Sequence, residues 1–149
     1  MRLKPIYDIA ELCSRKGLAH AILSPGSRCA PLTLAFVNHP NITTRIISDE
    51  RSAGFIGLGI AQHTGVPCIL LCTSGTAAYN FAPAVAEAFF QQIPLLVFTA
   101  DRPSEWIGQH DGQTIYQADI FGKHVKKSIQ LPQEYEHKDN QWAINRFMN

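Results

Sequence analysis

The stretch PCILLCTSGTAAYNFAPAVAEAFFQQIPLLVFTADRP (residues 67–103) decides the fold. Two short apolar runs, Pro67–Cys72 and Pro94–Thr99, flank Thr76–Gln91, a segment of helical length. Near-continuous apolar runs of this size read as strands buried on both faces, and two of them joined through a helix read as parallel neighbours. Working outward, the same cycle recurs. His20–Leu23 is an apolar run stopped by Ser24, Pro25 and Gly26, Thr44–Ile47 is a further strand, and Arg51–Thr64 is the helix that follows it. Pro5–Gly17 carries Ile6, Ile9, Ala10 and Cys13 at helical spacing and ends on a glycine suited to a helix stop. Another helix opens at Pro31, since proline is favoured in a first turn. The alternation predicts an α/β domain with a doubly wound, mostly parallel sheet and helices on both faces.

After Asp101 a polar, irregular stretch runs to about Gly112. A helix is expected over Thr114–Phe121 and a last strand over Val125–Leu131. Beyond Pro132 the apolar residues thin to Trp142, Ile144 and Phe147 among charges and amides. Residues 1–131 are therefore expected to form one domain, with 132–149 a linker entering a helix toward further domains, and the chain reads as cut at Asn149.

The 149 residues are 46% hydrophobic and 17% charged, which excludes disorder and permits a core without disulfides. Thirteen Lys and Arg against twelve Asp and Glu give a net charge of +1, so no long-range field draws nucleic acid or an anionic membrane. No apolar run nears the roughly 20 residues of a membrane span, and charges scattered through the first 17 residues argue against a signal peptide. A cytoplasmic protein is expected. Cys13, Cys29, Cys68 and Cys72 lack zinc-ligand spacing and read as buried, reduced thiols; the six histidines form no metal-binding pair, so no protein-built metal site is expected.

In doubly wound sheets ligands lie beyond the carboxyl ends of the strands. The residues there are Ser24-Pro25-Gly26-Ser27-Arg28, Asp49-Glu50-Arg51, Thr73-Ser74-Gly75-Thr76 and Ala100-Asp101-Arg102-Pro103. Singly each is a cap or a turn; together they point to a cleft. Glu50 would sit partly enclosed at a helix N-terminus, either as a first-turn acid that stabilises the helix dipole or as a functional carboxylate. Arg28 and Arg102 carry forks suited to carboxylates, with ordinary alternatives: pairing with a local acid for Arg28, and with Asp101 or Glu105 for Arg102. Thr73–Thr76 form a turn into a helix, a place where an anion can bind. Gly57-Leu58-Gly59 lies inside a helix and fails as a dinucleotide fingerprint. Ala53, Gly57 and Ala61 instead make a small-residue stripe for close approach of another helix, within the chain or between subunits. His110-Asp111-Gly112 lacks the first glycine and the preceding strand of a diphosphate-site metal motif.

Five ordered blocks, SPGSRCAPL (Ser24–Leu32), SDERSAGFIGLGIA (Ser48–Ala61), CTSGTAAYNFAPAVAEA (Cys72–Ala88), FTADRP (Phe98–Pro103) and GQTIYQ (Gly112–Gln117), carry a resemblance. The chain resembles the N-terminal, pyrimidine-binding domain of the 2-succinyl-5-enolpyruvyl-6-hydroxy-3-cyclohexene-1-carboxylate synthases, thiamine-diphosphate enzymes of menaquinone biosynthesis. The resemblance implies that Glu50 is the catalytic acid that hydrogen-bonds the cofactor's pyrimidine N1′. It implies that Thr73, Ser74 and Gly75 line the cofactor pocket and that Ser27, Arg28, Arg102 and Gln113 bind isochorismate. It further implies a reaction that decarboxylates 2-oxoglutarate and adds the remaining unit to isochorismate, and a homo-oligomer with its active site between subunits. Mg2+ and diphosphate ligands are expected in a C-terminal domain outside these 149 residues, so this chain is expected to be inactive alone. Two other readings stay open: the pyrimidine domain of an acetolactate-synthase-like or decarboxylase-like enzyme, and a free-standing non-catalytic subunit that dimerises through the Ala53, Gly57, Ala61 stripe.

Overall fold

A computed structural model describes residues 4–133 and 138–148. Four strands, β1 (His20–Leu23), β2 (Thr43–Ile46), β3 (Cys68–Cys72) and β4 (Leu95–Thr99), form one parallel sheet in the order β2-β1-β3-β4. The helices are α1 (Lys4–Arg15), α2 (Ala30–Val37), α3 (Glu50–Thr64), α4 (Thr76–Asn80), α5 (Ala82–Gln91) and α6 (Lys138–Met148). This is the expected doubly wound α/β arrangement.

Side chains alternate strictly along β1, β3 and β4. Ala21, Leu23, Ile69, Leu71, Leu96 and Phe98 meet α1, α2 and α6, whereas Ile22, Cys68, Leu70, Cys72, Leu95 and Val97 meet α3, α4 and α5. Parallel crossovers are right-handed, so the move outward from β1 to β2 places α2 on one face and the moves back to β3 and β4 place α3 and α5 on the other. The reversal between β1 and β3 opens a crevice at their carboxyl ends. β3, paired on both sides, is buried throughout. β2 is an edge strand and departs from the expected apolar burial, with Ile46 62% exposed.

Local chemistry explains the element ends. α1 stops at Gly17, whose φ of 83° lets Leu18 N–H reach back to the Cys13 carbonyl at 3.0 Å. Asp49 caps α3, its Oδ1 accepting from Ser52 N–H at 2.7 Å. The small-residue stripe of α3 faces the chain's own sheet: Ala53, Gly57 and Ala61 are buried, and Gly54 meets Phe81 and Ala84 of the α4–α5 region. It is internal packing, not a free face for a second subunit.

Three expectations are corrected. Thr76–Gln91 is two helices, because Pro83 has no N–H to give the Tyr79 carbonyl; the chain tightens at Phe81, whose N–H bonds to Ala78 at 3.2 Å. Thr114–Phe121 is not a helix: Gln113 and Asp119 adopt φ of 58° and 54°, and only a 3₁₀ turn at Gly122–His124 follows. Val125–Leu131 is not a strand either. Val125 packs on the α3 and α5 side and Leu131 on the α1 side, so the segment crosses from one face of the sheet to the other instead of running along β4. The expected C-terminal helix is α6, packed on α1 with Ile144 buried.

Candidate functional site

β1 and β3 deliver their following loops side by side, so close that a Cβ on Gly26 would lie 2.4 Å from Thr73 Cβ. Ser24 anchors this turn: its N–H donates to the Leu71 carbonyl at 2.8 Å and its hydroxyl to the Ile47 carbonyl at 2.9 Å. Ser27 and Arg28 then stand on the exposed part of the turn. Thr73 and Ser74, at the end of the central strand, are buried, yet Thr73 Oγ1 and Ser74 Oγ have no hydrogen-bond partner among the described residues. Buried hydroxyls are nearly always paired in folded proteins, so two adjacent unpaired ones at the switch point are candidates for contact with a ligand.

Glu50 is the first residue of α3 and is half-buried. Asp49 does the capping, and the Ser52 N–H it accepts holds its own carboxyl below the ordinary range. That leaves the Glu50 carboxylate without a hydrogen-bond or ion-pair partner among the described residues, at the positive end of the helix. It lies close enough to Cys72, the last residue of β3, to add to the effect of burial in pushing that thiol up. Glu50 therefore acts on the strand end that Thr73 and Ser74 follow.

Gly75 adopts φ of 86°, and a Cβ there would meet Gln113 Cα at 2.9 Å. Its N–H donates to Gln117 Oε1 at 2.9 Å, while Gln117 Nε2 donates to the Ala100 carbonyl at 2.7 Å. The expected anion site at this helix start is thus a tie to Gln117 through an amide already engaged. Gln117, buried within the GQTIYQ block, was missed as a site-shaping residue because Thr114–Phe121 read as a helix.

Arg102 N–H donates to Asp101 Oδ1 at 2.7 Å and Arg102 Nη2 donates to the Gly112 carbonyl at 3.0 Å. Burial pushes the Asp101 carboxyl up, against the opposing pull of that Arg102 N–H. The ordinary side-chain pairings do not form: among the described residues neither the Arg28 nor the Arg102 guanidinium has a carboxylate partner. Both guanidiniums instead lie over the Trp106 ring, at 5.3 and 5.6 Å from its centroid. Trp106 was not singled out from sequence, where an exposed tryptophan in a polar loop has no periodic signal. Gln113 is exposed above Gly75, and no side-chain hydrogen bond joins Ser27 or Gln113 to the arginines among the described residues.

On the α1 and α2 face, a cavity of about 320 Å³ is lined mainly by apolar residues, with Arg28 and Asp101 its charged members. Among the described residues no group of three or more His, Cys, Asp or Glu is placed to hold a metal ion, and no helix is long and apolar enough to cross a membrane. The four cysteines are buried free thiols. His110-Asp111-Gly112 lies in an irregular exposed loop.

The chain matches the family model described as thiamine pyrophosphate enzyme, N-terminal TPP binding domain, over residues 7–120. It is 51% identical over 147 residues to a protein of Cytophaga hutchinsonii named 2-succinyl-5-enolpyruvyl-6-hydroxy-3-cyclohexene-1-carboxylate synthase, covering 99% of this chain and 26% of that relative. It is 45% identical over 146 residues to a protein of the same name from Bacteroides thetaiotaomicron, covering 98% of the chain and 26% of the relative. A third of that name, from Flavobacterium psychrophilum, is 54% identical over 117 residues, covering 78% of the chain and 21% of the relative. The chain thus spans about a quarter of the length of the curated relatives it matches.

Proposed function

The chain belongs to the thiamine pyrophosphate enzymes, as their N-terminal TPP binding domain, and we propose that it is the pyrimidine-binding part of a 2-succinyl-5-enolpyruvyl-6-hydroxy-3-cyclohexene-1-carboxylate synthase. The observation that carries this reading is a half-buried glutamate, released from capping by Asp49, beside two unpaired buried hydroxyls at the switch point. That donor and acceptor set fits the polar edge of an aminopyrimidine. The names of relatives that match almost the whole chain support the choice of synthase.

In this reading Glu50 hydrogen-bonds the pyrimidine N1′, which must carry a proton, and is the catalytic acid. Thr73 and Ser74 hold the ring through their hydroxyls, and Gly75 contributes backbone room where a side chain would collide with Gln113. When bound, thiamine diphosphate supplies the electron sink for decarboxylation of a 2-oxo acid, here 2-oxoglutarate. Arg28 and Arg102 direct guanidinium forks at the carboxylates of isochorismate, with Ser27 and Gln113 as neighbouring polar contacts. Residues 1–131 form the pyrimidine-binding unit and 132–149 lead toward the part of the enzyme that carries Mg2+ and diphosphate ligands. The working protein is a cytoplasmic homo-oligomer with its site shared between subunits, and these 149 residues alone do not turn over.

The test is turnover by the longer protein that contains this chain. Isochorismate with 2-oxoglutarate is the expected pair, and Glu50→Gln should lower kcat by two or more orders of magnitude, roughly the range for removal of a catalytic proton-transfer group. Faster turnover with pyruvate, or an unimpaired Glu50→Gln enzyme, overturns the reading.

A further inference from the structure

Arg28 follows β1 and Arg102 follows β4, and β3 lies between those strands. Two positive side chains from non-adjacent strand ends have every electrostatic reason to splay apart. Both nevertheless lie over one indole, no further from each other than their two distances to its centroid combined. The acids nearest Arg102 in sequence are otherwise engaged: Asp101 accepts from Arg102 N–H and Glu105 from the Ser104 hydroxyl. Arg102 Nε is shielded from solvent without a partner among the described residues, so part of its donor fork is uncommitted. Trp106 closes a 3₁₀ turn, Ser104–Trp106, held by Trp106 N–H to the Pro103 carbonyl at 2.9 Å and Ile107 N–H to the Ser104 carbonyl at 3.2 Å. The backbone that carries the ring is therefore fixed locally.

We propose that Trp106 is a positioning residue whose indole gathers Arg28 and Arg102 into one paired anion receptor that selects a dicarboxylate over a monocarboxylate. The ring's negative face attracts each guanidinium and offsets part of their mutual repulsion. A ligand with two carboxylates neutralises both cations at once; a monocarboxylate leaves one of them opposed only by the ring. The inference deepens the assignment of the arginines to isochorismate and rests on it.

The experiment uses the 149-residue chain with Trp142→Phe, which leaves Trp106 as the only tryptophan. The probe is cyclohexane-1,3-dicarboxylate, with acetate at equal ionic strength as the comparison. Trp106 emission is expected to change saturably with the dicarboxylate and not with acetate. Calorimetry on the same background is expected to show binding about tenfold weaker in Trp106→Leu, with Trp106→Phe within about threefold of the parent, because a smaller aromatic face keeps most of the attraction. A merely structural role would not give rescue by Phe together with loss of selectivity over acetate. If Trp106→Leu binds as tightly as the parent, or Phe fails as badly as Leu, the positioning role is overturned while the arginine assignment stands. If the parent binds no dicarboxylate, both are overturned. Trp106 is 40% exposed, and circular dichroism checks that the variants fold.

Discussion

Gly57 of α3 is pressed so closely onto β3 that a Cβ at its position would lie 2.4 Å from Leu70 Cδ2. Gly59, two residues on, has nothing within 4 Å of the same construction. The two glycines therefore predict opposite signs for the same substitution. Gly59→Ala should stabilise by about 0.5–1 kcal/mol through helix propensity. Gly57→Ala should destabilise by about 1–3 kcal/mol through overpacking, and Leu70→Val should recover part of that loss by removing the δ carbon. Urea midpoints of the four proteins decide it; a stabilised Gly57→Ala would show that α3 does not sit this close to the sheet.

A second contact at the crevice behaves differently, because the atom in the way is not at the end of a flexible side chain. Gly26→Ala would place its Cβ 2.4 Å from Thr73 Cβ, which no rotamer of Thr73 can move. The β1 loop must shift, carrying Ser27 and Arg28 with it. The expected loss is about 1–3 kcal/mol, and Thr73→Ala, which keeps the Cβ, should not restore it. Full recovery in the Gly26→Ala, Thr73→Ala double variant would sink the backbone-collision argument.

These contacts also mark how far the sequence could be read. Ala21–Leu23 and Cys68–Cys72 were legible because a strand buried on both faces is apolar at every position, and α3 was legible as a segment of helical length following β2. Residues 104–131 were not. Gln113 and Asp119 take left-handed backbone that their side chains do not announce, and Gln117 is fixed by partners at residues 75 and 100. The strand-end residues were legible as a set, since topology alone puts them on one edge. Their pairings were not: the Arg102 guanidinium took the Gly112 carbonyl and the Trp106 ring instead of the Asp101 or Glu105 carboxylate.

Gln117 is the tie between the β3 and β4 ends, and its two hydrogen bonds are of opposite kind. Gln117→Ala leaves the Gly75 N–H and the Ala100 carbonyl without their partner, at a cost of about 1–3 kcal/mol. Gln117→Glu keeps an acceptor for Gly75 but turns an oxygen toward the Ala100 carbonyl, so it should also destabilise, more at pH 7 than at pH 4 where the acid gains a proton to donate. Thermal melts at the two pH values test this. Equal stability of Gln117→Ala and parent would show the tie to be dispensable.

The buried thiols predict the alkaline limb of stability. Burial pushes Cys13 up to about 12 and Cys68 to about 11 from the ordinary value of 9.0. Unfolded, these thiols lose their protons near pH 9; folded, they keep them well beyond it. Between those values the native state holds more protons than the unfolded one, so stability falls as pH rises from about 9 toward 12. The contribution is fully present below pH 9. Lysine and tyrosine titrate in the same window, so the measurement is a comparison of slopes: urea midpoints at pH 8, 9 and 10.5 for the parent and for Cys13→Ala. The variant starts lower because a buried side chain is truncated, but its midpoint should fall less steeply. Parallel slopes would mean that Cys13 ionises as freely in the folded chain as in the unfolded one, and that the α1 face of the sheet admits water.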